Sequence, residues 1–291
     1  MSRMGDVLAG FNAVWELDSD SVLIRFERGI RTPRLFQALG ERRIPHAALA
    51  EVTLTPGKRG TVVLRAVPRP GADPLMDAAA GQLKASGDPY RLVLPGEREE
   101  QAAYWAGELR TRVHGKDEPA EHYLVPAPDA PLQFKAYDAK ASFDGKTVSF
   151  RWFWTGASSA KWKAGDQSFL LSDLAGVEWR SPELSEGHLR LLRRTGPEEA
   201  QVDQDPASVV FGLGYGPVHE SLPFAASVLS ALRSSTGPAA DSVPVAVGAV
   251  SARRDPADIA DRIRHLGELH QAGLVTDEEF STKKAQLLAE L

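Results

Sequence analysis

The feature that most limits what this chain can fold into is that it repeats itself. Leu17 to Ile24 (LDSDSVLI) matches Phe143 to Phe150 (FDGKTVSF): an apolar residue, a short polar turn, then an alternating strand. Ile44 to Val52 (IPHAALAEV) matches Phe169 to Val177 (FLLSDLAGV), with Leu49-Ala50 falling on Leu174-Ala175. Thr61 to Val67 parallels Gly187 to Arg193, and Asp88-Pro89 and Asp205-Pro206 each open a further strand. The matches keep their order, at offsets of 125 and 126 residues in the first two blocks. Ordered self-similarity over more than a hundred residues means one folding unit used twice.

Each copy reads as several short strands followed by one helix. The strands alternate with period two between turn residues such as Pro56-Gly57, Pro70-Gly71 and Asp144-Gly145. The helix of the first copy spans Glu97 to Val113, with Ala102, Trp105, Ala106 and Leu109 at helical spacing. That of the second spans Glu220 to Arg233, with Leu222, Ala225, Val228, Leu229 and Leu232. Strands do not alternate with helices, which argues against a doubly wound sheet, and a mainly β protein with helices (α+β) is expected. The element order resembles the pleckstrin-homology-like fold. That resemblance implies two tandem β-barrel or sheet domains of seven strands, each closed by a C-terminal helix. The expected division is residues 1–114 for the first copy, 115–131 for a proline-rich linker and 132–235 for the second copy. Residues 236–255 form a flexible linker and 256–291 a helical hairpin.

The 291 residues are 43% hydrophobic and 25% charged, which excludes a wholly disordered or fibrous chain. A net charge of -5 argues against bulk nucleic-acid binding. The absence of cysteine removes disulfides, iron–sulfur clusters, thiolate zinc sites and cysteine nucleophiles together. Asp6 and Asn12 interrupt any signal-peptide core near the start, and Pro244 and Gly248 interrupt the longest apolar stretch, residues 242–252. A cytoplasmic protein, at most peripheral to a membrane, is the expectation.

The last 36 residues read as a hairpin of two amphipathic helices. Ile259, Ile263, Leu266 and Leu269 make one stripe; Gly273 suits a C-cap; Thr276 and Glu279 form a capping box; Phe280, Leu287 and Leu288 make the second stripe. So few residues do not bury a stable core alone, so the stripes need a partner surface. The run Leu266, Leu269, Ala272-Gly273-Leu274-Val275-Thr276, Glu279-Phe280, Lys284, Leu287-Leu288 resembles the SHOCT (short C-terminal) domain family. The resemblance implies an oligomerisation or interaction module, here carried by Ile263, Leu266, Leu269, Leu274, Phe280, Leu287 and Leu288. Taken with the duplicated front, the chain resembles the bacterial domain-of-unknown-function 4429 family, which supplies no active site.

Candidate chemistry is thin. Gly145-Lys146-Thr147 ends like a phosphate-binding loop, but the glycine required upstream is replaced by Lys140, so a hairpin turn is expected. Gly212-Leu213-Gly214-Tyr215-Gly216 lacks dinucleotide-loop spacing and reads as a strand-to-helix turn. The seven histidines show no metal-site spacing, and Ser158 lacks the flanking glycines of a nucleophile elbow. No cofactor and no enzymatic activity are expected.

Two clusters stand out. Arg25, Arg28, Arg31, Arg34, Arg42 and Arg43 crowd the early part of copy one against only Glu27 and Glu41, a candidate anion-binding set because the guanidinium fork fits phosphate. In pleckstrin-homology-like folds, the resemblance implies, a basic loop in this region can hold lipid head groups. Trp152 and Trp154 share the alternation of Val148 and Phe150 and are expected in the core. The functional expectation is a bacterial scaffold or adaptor that binds itself through its tail and an unidentified protein through its copies. An anionic-lipid-binding peripheral protein and a cryptic hydrolase are the alternatives.

Overall fold

The computed structural model describes residues 7–113, 118–195, 200–236 and residue 281. The chain divides into two units, Met1–Pro238 and Ala239–Leu291. All elements below belong to the first. The tail positions Ile263, Leu266, Leu269, Leu274, Phe280, Leu287 and Leu288 lie outside the described residues.

Copy one begins with four antiparallel strands in sequential order, β1 (Val7–Ala9), β2 (Ala13–Leu17), β3 (Ser21–Phe26) and β4 (Glu41–Pro45). Helix α1 (Arg34–Leu39) lies between β3 and β4. A second sheet holds β5 (Leu49–Pro56), β6 (Thr61–Pro68) and β7 (Arg91–Pro95), with α2 (Pro74–Ala79) between the last two. Helix α3 (Glu99–Thr111) follows and packs on β5, β6 and β7. Copy two repeats the plan. Strands β8 (Leu132–Lys135), β9 (Ala139–Phe143), β10 (Thr147–Trp152) and β11 (Gln167–Leu170) form one sheet, with α4 (Ser159–Ala164) before β11. Strands β12 (Leu174–Arg180), β13 (His188–Arg193) and β14 (Ser208–Val210) form the other, and α5 (Val218–Thr236) follows. The protein is mainly β with helices, as the alternation implies.

The repetition reaches single hydrogen bonds. Glu27 N donates to Asn12 O at 2.9 Å, and Phe153 N donates to Asp138 O at 2.8 Å. Arg69 N donates to Ala48 O at 2.8 Å, and Arg194 N donates to Asp173 O at 2.9 Å. Ion pairs repeat as well: Arg65 on β6 meets Asp88 at 2.8 Å, and Arg190 on β13 meets Asp205 at 3.4 Å. Each of those aspartates also accepts the amide of the second residue after it, Tyr90 or Ala207. The Asp-Pro pair thus fixes the entry into the third strand of each sheet.

Local chemistry explains the turns. Asp144 Oδ1 accepts the amides of Lys146 and Thr147 at 2.8 and 2.7 Å, and Gly145 sits at φ +100°, so the GKT run closes the β9–β10 hairpin. Gly212 and Tyr215 pair across a tight turn between β14 and α5, as the glycine pattern implies.

One apolar core runs through both copies. Helix α3 turns Ala102, Trp105, Ala106 and Leu109 inward, the four positions its spacing marked. Helix α5 differs: it packs on β8 and β12 of its own copy and on α1 and α2 of the other. Its buried residues accordingly include Leu222, Phe224, Ala225, Ala226, Val228 and Leu232, which do not lie on one stripe. Gln82 Nε2 donates to Trp179 O, and Ser181 N donates back to Gln82 Oε1, both at 2.9 Å. Arg233 Nη1 donates to Gly71 O at 3.0 Å, and Nη2 donates to Ala120 O at 2.5 Å and Glu121 O at 3.0 Å. The proline-rich segment after copy one is also pinned, since Leu124 N and Val125 N both donate to Ala72 O.

Candidate binding surface at the junction of the two copies

The structure separates the six arginines into two groups. Strand alternation turns Arg42 inward and Arg43 outward along β4. Arg42 is buried and donates to Asp73 Oδ1 at 2.8 Å and to Tyr90 Oη at 3.1 Å. Tyr90 Oη in turn donates to Asp73 Oδ2. Burial opposes the guanidinium charge, but Tyr90 and Asp73 outweigh it and hold the Arg42 pKa above its ordinary value. Burial likewise pushes the Tyr90 hydroxyl well up. Arg43 pairs with Asp18 and donates to Ser21 Oγ at 2.8 Å. Arg25 pairs with Glu16 and lies 3.7 Å from Glu41. Arg42 is therefore engaged inside the fold, while Arg25 and Arg43 are held in ion pairs at its surface.

Arg28, Arg31 and Arg34 remain. They sit on the turn from β3 into α1, exposed, with no ion pair or hydrogen bond among the described residues. The turn is built to hold its shape: Gln37 Nε2 donates to Gly29 O at 3.0 Å and to Thr32 O at 2.9 Å, and Thr32 N donates to Gly29 O. Below it Phe26 stacks on Phe36, ring centres 4.6 Å apart.

This turn borders a cleft of about 620 Å³ shared by the two copies. Arg34 and Lys84 line it from copy one; Leu184, Leu213, Tyr215 and His219 line it from copy two. Lys84 and Glu183 form an ion pair at 3.2 Å that links the two sides. Burial pulls the His219 imidazole below its usual range; Glu220 opposes the shift and Arg34 adds to it.

Copy two contributes an aromatic rim beside the cleft. Tyr137 on the β8–β9 turn meets Tyr215 edge to face, ring centres 6.0 Å apart. Lys135 Nζ lies 5.3 Å from the Phe153 ring and 5.5 Å from that of Tyr215. Trp154, expected in the core with Trp152, is instead exposed, because β10 ends at Trp152 and the alternation ends with it. It meets Trp162 edge to face at 5.3 Å.

Two buried ion pairs are structural. Lys161 on α4 donates to Asp138 Oδ2 at 2.7 Å, both out of solvent, and lies over the Trp152 ring. Burial pushes the Asp138 carboxyl up and pulls the Lys161 ammonium down, and their contact opposes both shifts. The Arg42–Asp73–Tyr90 set does comparable work in copy one: Asp73 also caps α2 by accepting Leu75 N at 2.8 Å. Sequence reading missed α2, although Asp73 before Pro74 is a local helix-start signal. It also missed the second buried face of α5, announced by the uncharged run Leu222 to Leu232.

Comparison with known families follows this division. The family model described as Domain of unknown function (DUF4429) matches residues 15–110 and again residues 141–229. The chain belongs to the DUF4429 family. The model described as Short C-terminal domain (SHOCT) matches residues 261–288. No curated protein matches the chain. Among the described residues, no helix is long and apolar enough to cross a membrane, and no three His, Cys, Asp or Glu side chains gather as a metal site would require.

Proposed function

We propose that the chain is a non-enzymatic bacterial scaffold or adaptor that acts in the cytoplasm. Its two copies, read as pleckstrin-homology-like, form one binding body, and its SHOCT-matching tail multimerises that body. What supports the reading is the double use of α5, which packs on the sheets of its own copy and on α1 and α2 of the other. The copies therefore do not behave as beads on a string; they offer loops from both to one cleft. The order of four strands, three strands and a helix in each copy supports the pleckstrin-homology-like assignment. Multimerisation through the tail would multiply weak single contacts by avidity, which needs no new interface. The partners are a second copy of the chain and a protein recognised by the fused body.

The test is the mass of the full chain against a chain ending at Pro238, measured by light scattering on eluting peaks. The reading expects the full chain to form a defined multimer and the shortened chain to remain folded at lower order. Equal protomer numbers for the two would overturn it.

A further inference from the structure

The two copies treat one place on their second sheets differently. In copy one, Arg65 on β6 stands directly opposite Arg91 on β7. In copy two, Arg190 on β13 stands at the matching place, opposite Ser208 on β14. Each first arginine has its aspartate, Asp88 or Asp205. In copy two that completes the set: Arg190 is buried and donates to Ser208 Oγ at 3.2 Å and to Ala200 O at 2.8 Å. In copy one the second arginine is left over. Arg91 makes no side-chain hydrogen bond or ion pair among the described residues. Like charges directly opposite on neighbouring strands destabilise a sheet. Here they are also close: Ala66 N donates to Tyr90 O, so Arg65 and Arg91 form a non-hydrogen-bonded pair, the kind whose side chains lie nearer. Copy one keeps, at a cost, a cation that its own fold does not use.

That cation lines a hollow of about 920 Å³ within copy one. Alternation along β6 turns Val62, Leu64 and Ala66 into the core and leaves Val63 and Arg65 on the other face. Val63 stands opposite Val93, and both line the hollow beside the arginines. Lys58, exposed on the turn between β5 and β6, lines it too and has no side-chain partner among the described residues. Its carbonyl accepts Thr61 Oγ1 at 2.8 Å, which places it at the start of β6. Thr61 precedes Arg65 by four residues, a span of about 13 Å. Along the strand the hollow therefore presents a cation, a pair of valines and a second cation. Asp88, already paired with Arg65, is the one acid in its lining.

This spacing decides what fits. A small anion such as phosphate reaches one end and leaves the other uncompensated. An extended segment reaches both, since acids at its first and fifth positions are also about 13 Å apart. Its alternation puts the third side chain on the same side as the two acids, over Val63 and Val93. The contact between Arg65 and Asp88, at 2.8 Å, shows the carboxylate–guanidinium chemistry already in use at this place.

We infer that the hollow holds an extended acidic segment of a partner protein, patterned acid–x–apolar–x–acid. Its carboxylates meet Arg91 and Lys58, and its apolar side chain meets the valine pair. The inference rests on the adaptor reading and names the chemistry of its protein partner. It does not use the tail, so the light-scattering test and this one fail separately.

The experiment titrates the full chain at low salt with a capped, fluorescein-labelled peptide, GSESVSESG, and reads anisotropy. Saturable binding is expected. The uncharged peptide GSQSVSQSG should bind about tenfold more weakly or worse. The respaced peptide GSEESVSSG, of equal charge, should also bind more weakly. Arg91→Ser installs the residue that copy two carries. It should weaken GSESVSESG by about tenfold and leave the melting temperature unchanged or higher, because it relieves the opposition to Arg65. Lys58→Gln, on an exposed turn, should weaken the peptide without moving the melting temperature. Inorganic phosphate should compete no better than chloride at equal ionic strength. No saturable binding of GSESVSESG overturns the inference, as does equal affinity for the respaced peptide. Binding that survives both substitutions places the peptide elsewhere and overturns it too. A lower melting temperature for Arg91→Ser would make that arginine structural, and specific displacement by phosphate would make the hollow a single-anion site; either result overturns the inference.

Discussion

Lys161 occupies in the second copy the place that Phe36 holds in the first. Each is the third residue of the short helix that precedes the fourth strand, α4 or α1, and each helix ends at a glycine, Gly165 or Gly40. Phe36 stacks on Phe26, and Lys161 lies over Trp152. The partner has changed in step: Asn12 stands where the second copy has Asp138, as their matching backbone bonds to Glu27 and Phe153 show. The same packing site is thus filled by an aromatic ring in one copy and by a buried ion pair in the other.

Lys161→Met leaves the Asp138 carboxylate buried without its cation, which costs about 3–5 kcal/mol. At roughly 2–4 °C per kcal/mol for a unit of this size, the melting temperature should fall by about 6–20 °C. Restoring the first copy's solution with Asp138→Asn and Lys161→Phe together should recover most of that loss, because apolar replacement of a buried pair is often neutral. Thermal melts of the single and double variants check this. A double variant no better than Lys161→Met would mean the two sites are not equivalent.

Asp73 accepts from Arg42, Tyr90 and Leu75. Asp73→Ala strands a buried guanidinium and uncaps α2, at about 3–5 kcal/mol. Tyr90→Phe removes one hydroxyl and should cost about 1–2 kcal/mol. Urea unfolding should rank them in that order. Since α2 is one of the two copy-one helices that meet α5, Asp73→Ala should also open the junction to limited proteolysis near residue 74 sooner than Tyr90→Phe does.

Because α5 serves both copies, residues 1–238 should unfold as one cooperative unit. Calorimetry should give a single peak with calorimetric and van't Hoff enthalpies in agreement. Arg233→Met removes the donor to the carbonyls of Gly71, Ala120 and Glu121 and should cost about 1–3 kcal/mol. Two resolved peaks in the native chain would contradict the shared-helix account.

His46 gives the pH dependence a sign. It is buried after β4 with Nε2 unpartnered, and burial, with Arg112 adding, holds its pKa below 6.5. The folded state therefore binds fewer protons than the unfolded state just below that pH, so stability is lost as pH falls through about 6.5 toward the folded value. Melting temperatures from pH 8 to pH 5 should decline less steeply for His46→Gln than for the native chain. Parallel profiles would show that another group sets the slope.

Local patterns were legible in the sequence, and distant ones were not. The hairpin at Asp144-Gly145 and the inward face of α3 depend on residues within a turn or two of each other. The alternation that put Trp154 beside Trp152 was sound until β10 ended. The arginine run looked like one cluster because charge was counted along the chain. Ile44 already marked the inward face that Arg42 shares. That Arg42 is satisfied there depends on Asp73 and Tyr90, 31 and 48 residues away. The cleft is less legible still, since its walls come from loops of different copies and no residue pattern announces that two loops will be neighbours.

The bond from Arg233 to Gly71 spans 162 residues. During synthesis copy one leaves the ribosome long before the helix that completes it. At roughly 5–20 residues per second, the interval is about 8–30 s. Throughout it, α2 stands without α5, the helix it packs on. The growing chain must therefore pass through a stage in which its first half is assembled but unshielded, and a holding chaperone would have most to do there.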